Sequence, residues 1–323
     1  MLSKRSVLRL NIRKCAVIGT GFVGSSTAFA LMQRGIFSEM VLIDYDKRKA
    51  EGEAMDLSHG IPLSRQMKIY AGGYDDLADC YLVIITAGGG QKPGQSRLDL
   101  VKDNIAIFRS IIPQIVKYNN DCILLVVSNP VDVLTYFALK LSGFPPQRVI
   151  GSGTVLDTAR LKYLIGEHLH VDMRNVHAFI IGEHGDSELA VWSSANVSGV
   201  DLDDFCSICG HCENMETLRS LYDDVRDSAY EIIEKKGATY YGIAMAVTRI
   251  AEAIVRNERS VLPVTCLLEG QYGLSDICMG VPAIVGSSGI EKVLNVPLNT
   301  SESDYLTASA KALKSILEDC SGE

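Results

Sequence analysis

The sequence predicts an α/β protein in which a doubly wound parallel sheet is followed by an α+β half. In the first 150 residues, six short apolar runs alternate with helical stretches, which is typical of parallel strands joined by helical crossovers. The runs are apolar throughout, as expected for strands covered by helices on both faces. They span residues 15–18, 40–43, 67–70, 81–86, 122–128 and 148–150.

After residue 151 the pattern changes to long amphipathic helices, so we divide the chain into residues 1–150 and residues 151–323. Residues 1–12 are predicted to be a flexible arm. Three segments carry apolar residues at helical spacing, and Ser301 with Asp304 is predicted to form a capping box before the third. The apolar residues are Leu218, Leu221, Val225, Ile232 and Ile233; then Ala244, Val247, Ile250, Ala251 and Ile254; then Leu306, Leu313, Ile316 and Leu317.

Composition excludes several classes of protein. The 323 residues carry a net charge of −8, which gives no positive field to hold nucleic acid. No apolar run reaches the roughly 18 to 20 residues that cross a bilayer, and the first residues lack a secretory apolar core. We therefore expect a cytoplasmic enzyme with neither a membrane nor a nucleic-acid partner.

The nine cysteines are predicted to be reduced thiols in a reducing compartment. Cys206, Cys209, His211 and Cys212 are metal-type ligands at close spacing, and a CxxC pair can hold half of a zinc site. Since no second ligand pair follows at the standard spacing, we expect no metal here.

A glycine pattern indicates a dinucleotide site. Val17 and Ile18 end the first strand, and Gly19-Thr20-Gly21-Phe22-Val23-Gly24 follows it as G-x-G-x-x-G before a helical stretch. Gly19 permits the tight turn, Gly21 lets a pyrophosphate approach the backbone, and Gly24 lets the helix pack closely. We expect Phe22 and Val23 to line the same loop.

Asp44 supports a Rossmann-type half that binds NAD. It ends the second strand 20 residues after Gly24, where a carboxylate accepts hydrogen bonds from the adenosine ribose and repels a 2′-phosphate. NAD is therefore favoured over NADP. The alternative is a structural glycine turn with an incidental aspartate.

Five separated motifs point to one family. They are Ile18-Gly19-Thr20-Gly21, Gln91-Lys92-Pro93-Gly94-Gln95-Ser96-Arg97, Ser128-Asn129-Pro130, Leu156-Asp157-Thr158-Ala159-Arg160 and Gly182-Glu183-His184-Gly185-Asp186. In their order and spacing, the chain from about Arg13 onward resembles the lactate and malate dehydrogenase family, and within it the bacterial lactate-specific members. The resemblance implies an oxidoreductase of glycolysis and fermentation that reversibly transfers hydride between NADH and pyruvate, giving L-lactate.

The resemblance also implies catalytic roles. His184 would exchange a proton with the substrate oxygen, since an imidazole titrates near neutrality, and Asp157 would orient it. Arg160 would bind the substrate carboxylate, and Arg97, on a loop that closes over the substrate, would polarise the carbonyl. The alternatives are an ordinary histidine, an i,i+3 ion pair on a solvated helix, and an exposed loop arginine.

Substrate choice depends on Gln91, because malate dehydrogenases typically carry an arginine at the matching position. A neutral glutamine leaves a second carboxylate unpaired, which favours pyruvate over oxaloacetate. The resemblance places Thr239 beside the substrate and Asn129, Ser152 and Ile243 beside the cofactor, with Asn129 also near the substrate.

Members of this family are commonly tetramers or dimers, and the resemblance implies a homotetramer here. Many bacterial members are activated allosterically by fructose 1,6-bisphosphate. His177 matches a histidine of that effector site, whereas Lys162 replaces an arginine and loses its planar fork. Activation therefore stays open. Two other functions also stay open: a dehydrogenase of malate or of bulkier 2-hydroxy acids, and a catalytically silent NAD-binding protein.

Overall fold

The computed structural model describes residues 11–90, 97–209 and 215–321. The strands are β1 Asn11–Ile18, β2 Glu39–Ile43, β3 Lys68–Ala71, β4 Cys80–Ile85, β5 Ile123–Val126, β6 Val149–Gly151, β7 Val176–His177, β8 Ile180–Gly182, β9 Glu188–Ala190, β10 Asn196–Val197, β11 Val200–Asp201, β12 Ser260–Glu269, β13 Ser275–Gly286 and β14 Gly289–Val293. The helices are α1 Phe22–Arg34, α2 Lys47–Gly60, α3 Arg97–Tyr118, α4 Val131–Ser142, α5 Val155–Leu169, α6 Leu202–Cys209, α7 Met215–Lys236, α8 Tyr241–Val255 and α9 Thr300–Ser321.

The first six strands form the predicted parallel sheet, in the order β3-β2-β1-β4-β5-β6. Cys15 in β1 is in register with Met40 in β2 on one side and with Leu82 in β4 on the other. The strand order reverses between β1 and β4, and in open α/β sheets ligands bind outside the carboxyl ends of the strands at such a point. The Rossmann fold class is confirmed.

The second half extends the same sheet with antiparallel strands. β12 pairs with β6, β13 pairs with β12, and β8, β9 and β14 complete that side, while β7, β10 and β11 form a separate small sheet. One apolar core runs under both halves, from Val17 and Leu124 to Val264 and Val281. The α+β prediction is thus also confirmed, and the continuous sheet fixes β8 relative to the parallel strands.

The three predicted apolar stripes lie on α7, α8 and α9, but the capping box prediction is wrong. Asn299 Oδ1 accepts from the Glu302 amide at 2.9 Å, and Glu302 Oε2 accepts from the Asn299 amide at 2.9 Å. Asn caps a helix as well as Ser does, so Ser301 and Asp304 fall inside α9.

The reduced state predicted for the cysteines holds for most of them and fails at Cys206. That residue is disulfide-bonded, whereas seven others are free thiols. The predicted compartment does not determine the distance between two thiols, and that distance decides whether a disulfide can form. His211 and Cys212 lie outside the described residues.

Within the described part of the chain, none of the helices combines the length and the apolar character that crossing a bilayer requires.

Candidate active site

The turn between β8 and β9 holds His184 against the first turn of α5. His184 Nδ1 lies 2.6 Å from Asp157 Oδ2, and the Asp157 side chain is 3% exposed. With Nδ1 engaged, Nε2 is the ring nitrogen available to a substrate. A second carboxylate fixes the backbone, because Asp132 Oδ2 accepts from the His184 amide at 2.7 Å.

Charge at this pair favours the imidazolium. Burial of the His184 ring opposes protonation, but the Asp157 carboxylate outweighs it, and the pKa of His184 rises to about 9. Burial likewise works against ionisation of Asp157, but His184 and Arg160 outweigh it and lower the pKa of Asp157. The pair is therefore an ionised carboxylate beside a histidine that carries a proton at neutral pH.

Arg160 lies one turn after Asp157 on α5, and its Nη1 donates to Asp157 Oδ1 at 3.0 Å. The i,i+3 ion pair weighed from the sequence is therefore present, but it faces a cavity instead of bulk solvent. Both residues and His184 line that cavity of about 220 Å³, and the Arg160 side chain is only 15% exposed. The other N–H groups of the guanidinium fork are suited to a carboxylate.

The cavity lining combines polar and apolar side chains. Asn129 is one of the polar residues, while Val225, Ala229 and Ile233 of α7 form an apolar wall. Such a surface suits a small acid with a short alkyl group. Tyr230, also on α7, donates to Asp186 Oδ1 at 2.9 Å and ties this wall to the histidine turn.

Three polar residues at this site went unnoticed in the sequence. Asn104 of α3 donates to the Asn129 carbonyl at 2.8 Å, Asp132 holds the His184 amide, and Glu188 lines the cavity. A signal existed for Asp132, an acid within the apolar run that opens α4. Glu188 follows His184 across the turn that leads into β9, and its position in the sequence carries no comparable signal.

The glycine turn is shaped to receive a pyrophosphate. Gly19 has φ +97°, and a Cβ there would lie 2.6 Å from the Ala87 nitrogen, while a Cβ on Gly24 would collide with the Gly19 carbonyl. A Cβ on Gly21, in contrast, would meet nothing within 4 Å. Gly21 begins α1 without a side-chain cap, so the helix's first amides are left for an anion.

Asp44 stands at the end of β2 beside this turn. Its carboxylate accepts from the Thr20 amide at 2.6 Å and the Asp46 amide at 3.0 Å. Burial opposes ionisation, but these donors outweigh it and lower the pKa of Asp44. An ionised carboxylate has about four lone-pair sites, so it retains capacity for ribose hydroxyls. The residues present fit a dinucleotide.

The other predicted cofactor residues lie on several different elements. The Phe22 ring is 70% exposed and stacks on Tyr240 at 5.4 Å between centroids, and Val23 is half-buried. Ser152 is buried, and its amide donates to the Val126 carbonyl at 2.8 Å. Ile243 is half-buried in the first turn of α8.

Of the remaining predicted residues, those with described side chains do not line the His184 cavity. Thr239 is half-buried in the connection between α7 and α8 and does not line the cavity. Gln91 lies outside the described residues, and so does the side chain of Arg97, whose backbone begins α3. Lys162 is half-buried on α5, where burial lowers its pKa, and His177 is exposed on β7.

Comparison with known proteins agrees with this geometry. Residues 13–151 match the model of the lactate/malate dehydrogenase NAD binding domain, and residues 154–323 match that of the family's alpha/beta C-terminal domain. An L-lactate dehydrogenase of Acetivibrio thermocellus is 59% identical over 95% of this chain and 97% of its own. One of Clostridium botulinum is 51% identical over the full length of both.

Solved structures agree as well. A lactate dehydrogenase from a deep-sea metagenome of the Medee basin superposes with a TM-score of 0.94 at 48% identity, covering 96% of this chain and 99% of its own. The minor L-lactate dehydrogenase of Enterococcus mundtii, with ligands bound, gives 0.92 at 45% identity, covering 95% and 98%. The chain thus belongs to the lactate/malate dehydrogenase family, with an N-terminal half that is the family's NAD-binding domain.

Proposed function

We propose that this protein is an NAD-dependent L-lactate dehydrogenase that interconverts pyruvate and L-lactate. The observation that carries the proposal is the convergence of His184, Asp157 and Arg160 on one small cavity with an apolar wall. Relatives that are 51% and 59% identical are named L-lactate dehydrogenase, which supports the same substrate.

In this proposal each residue has a distinct task. Arg160 pairs with the carboxylate of pyruvate and so fixes its orientation. His184, protonated at neutral pH, donates the proton on Nε2 to the carbonyl oxygen as the carbonyl carbon is reduced. Asp157 holds the ring and stabilises its charged form. When bound, NADH supplies the hydride.

The cofactor would occupy the crevice at the switch between β1 and β4. Gly19, Gly21, Phe22, Val23 and Gly24 would surround the pyrophosphate, and the carboxylate of Asp44 would bind the adenosine ribose. Beside the nicotinamide we expect Asn129, Ser152 and Ile243.

Substrate selection completes the proposal. Arg97 would polarise the carbonyl and Thr239 would border the substrate. Gln91 would favour a monocarboxylate, because a second carboxylate would be buried beside it without a counter-charge.

We also place the boundary between the NAD-binding and substrate domains at residue 151, and we propose a cytoplasmic homotetramer that acts in glycolysis and fermentation. Fructose 1,6-bisphosphate would bind through Lys162 and His177. The half-buried lysine keeps the positive charge but not the fork that clasps a phosphate, so we expect weak activation.

The test is NADH oxidation with pyruvate, oxaloacetate and 2-oxoisocaproate side by side, with and without fructose 1,6-bisphosphate. We expect the highest kcat/KM for pyruvate and a shift toward oxaloacetate in Gln91→Arg. A wild-type preference for oxaloacetate or the branched acid would contradict the proposed substrate. Absence of turnover with all three would favour a silent NAD-binding protein.

A further inference from the structure

Glu188 is a third buried carboxyl group at this site, after Asp157 and Asp132, and it lies beside the catalytic pair. Glu188 begins β9, is 8% exposed, and its Oε1 is buried without a hydrogen-bond partner. One carboxylate oxygen of Glu188, one of Asp157 and a ring nitrogen of His184 all lie within 4.8 Å of one another. Both oxygens of Asp157 already accept hydrogen bonds, from Arg160 and His184.

The surroundings of Glu188 disfavour two ionised carboxylates at once. Asp157 is held ionised by two cationic partners, so a negative Glu188 would be a second buried anion at short range. On α7, Tyr222 donates to the Glu188 carbonyl, and Arg226 is partly exposed and engaged with Asp223 and Asp227. The cations near Glu188 are thus engaged with other carboxylates, His184 and Arg160 with Asp157, and Arg226 with Asp223 and Asp227.

The other glutamate of this turn, Glu183, already accepts a hydrogen bond. Ser187 donates to Glu183, and the Ser309 hydroxyl of α9 lies 2.9 Å from that of Ser187.

The pKa of Glu188 is raised to about 8, mainly by burial and next by the charge of Asp157, although the charges of His184 and Arg160 act to lower it. At neutral pH the site then carries protons on both Glu188 and His184.

We propose that Glu188 is a positioning residue that remains a neutral carboxylic acid while pyruvate is reduced, and that its ionisation at alkaline pH retains the proton on His184. The kinetic consequence of this role rests on the proposed function, whereas the protonation state of Glu188 does not. While neutral, Glu188 adds no negative charge to those of Asp157 and Asp132 near the ring, so His184 can release its proton to the substrate without a further anion holding it. Above neutral pH the proton of Glu188 passes to solvent, and the new anion strengthens the imidazolium.

The kinetic test uses Glu188→Gln, which locks the neutral form in nearly the same shape. Near neutral pH we expect kcat/KM for pyruvate to fall by less than about tenfold, because the wild-type residue is already neutral there and the amide differs only in its hydrogen bonding. The pH at which kcat/KM falls on the alkaline side, the alkaline limb, should be lower by about one unit. The reason is that His184 would bind its proton about tenfold more weakly. Glu231→Gln, on an exposed acid of α7, serves as the matched control and should leave the limb in place.

A second measurement does not depend on turnover. Infrared difference spectra of the free enzyme, wild type minus Glu188→Gln, should contain the carbonyl band of a protonated carboxylic acid at neutral pH, and this band should disappear as the pH rises. A merely structural role would leave the alkaline limb in place, whatever the protonation state of Glu188. If the variant does not fold, the wild-type titration of the same band still decides.

Three results would overturn the proposal: no protonated-acid band at neutral pH, an unmoved alkaline limb, or a loss above about tenfold at neutral pH in a folded variant. The last would mean that an ionised Glu188 supports the working enzyme. Failure of wild type to reduce pyruvate would instead refute the proposed function, and the infrared titration would still test Glu188.

Discussion

Replacing Asp157 by Asn tests the electrostatics of the proton donor. The pKa of His184 is about 9 where an ordinary histidine has 6.5, so the pocket favours the imidazolium by roughly 3 kcal/mol. Asp157 is the largest favourable contribution. Without its charge, burial should bring the pKa of His184 to 6.5 or below.

Two losses then combine. At about pH 7.5 the wild-type ring is almost wholly protonated, whereas a pKa of 6.5 leaves roughly one ring in ten protonated. An asparagine also permits the wrong tautomer, and the equivalent change beneath the histidine of a serine protease lowers kcat by about 10⁴-fold. We expect kcat for pyruvate reduction to fall by about 10³-fold or more.

The sign of the pH dependence follows from the requirement for a protonated donor. Wild-type reduction should persist until the pH rises through about 9, while the variant should lose it near or below 6.5. Steady-state rates with pyruvate, measured against pH, give the alkaline limb of each enzyme. Acidification should raise the activity of the variant by no more than about tenfold. Asp172→Asn, on an exposed carboxylate that pairs with Arg174, is the matched control. A folded Asp157→Asn enzyme with an unshifted limb and activity within tenfold would refute the reasoning.

Other substitutions probe the remaining parts of the site. Arg160→Lys keeps the charge but loses the fork, so the KM for pyruvate should rise at least about 10-fold in steady-state assays, whereas Arg174→Lys at an exposed site should change nothing. Asp44→Ser should weaken NADH binding by about tenfold, measured by fluorescence titration, and should reduce the preference for NADH over NADPH. An unchanged ratio of the two affinities would contradict the role of Asp44. Gly21→Ala should fold normally, since its Cβ meets open space, but lose NADH affinity. Gly24→Ala should lower the thermal midpoint as well, because its Cβ collides with the Gly19 carbonyl; equal stability of the two variants would contradict this difference.

Much of the parallel half could be predicted from sequence, because strands buried on both faces leave continuous apolar runs. The catalytic residues could be named only through resemblance, since His184 and Asp157 are 27 positions apart and meet only when β8 packs beside α5. Glu188 and Asp132 were missed because burial of an acid is a property of the packed fold. The helix cap was misplaced because Asn299 and Ser301 are equally good candidates by composition.

The role of His184 as proton donor in an NAD-dependent reduction of pyruvate is best measured in His184→Asn. NADH binding by fluorescence and pyruvate turnover would be measured on the same preparation, with the exposed His59→Asn as control. We expect NADH affinity within about twofold of wild type and turnover lower by about 10³-fold or more. If His184→Asn kept more than about a tenth of wild-type turnover, another group would have to supply the proton.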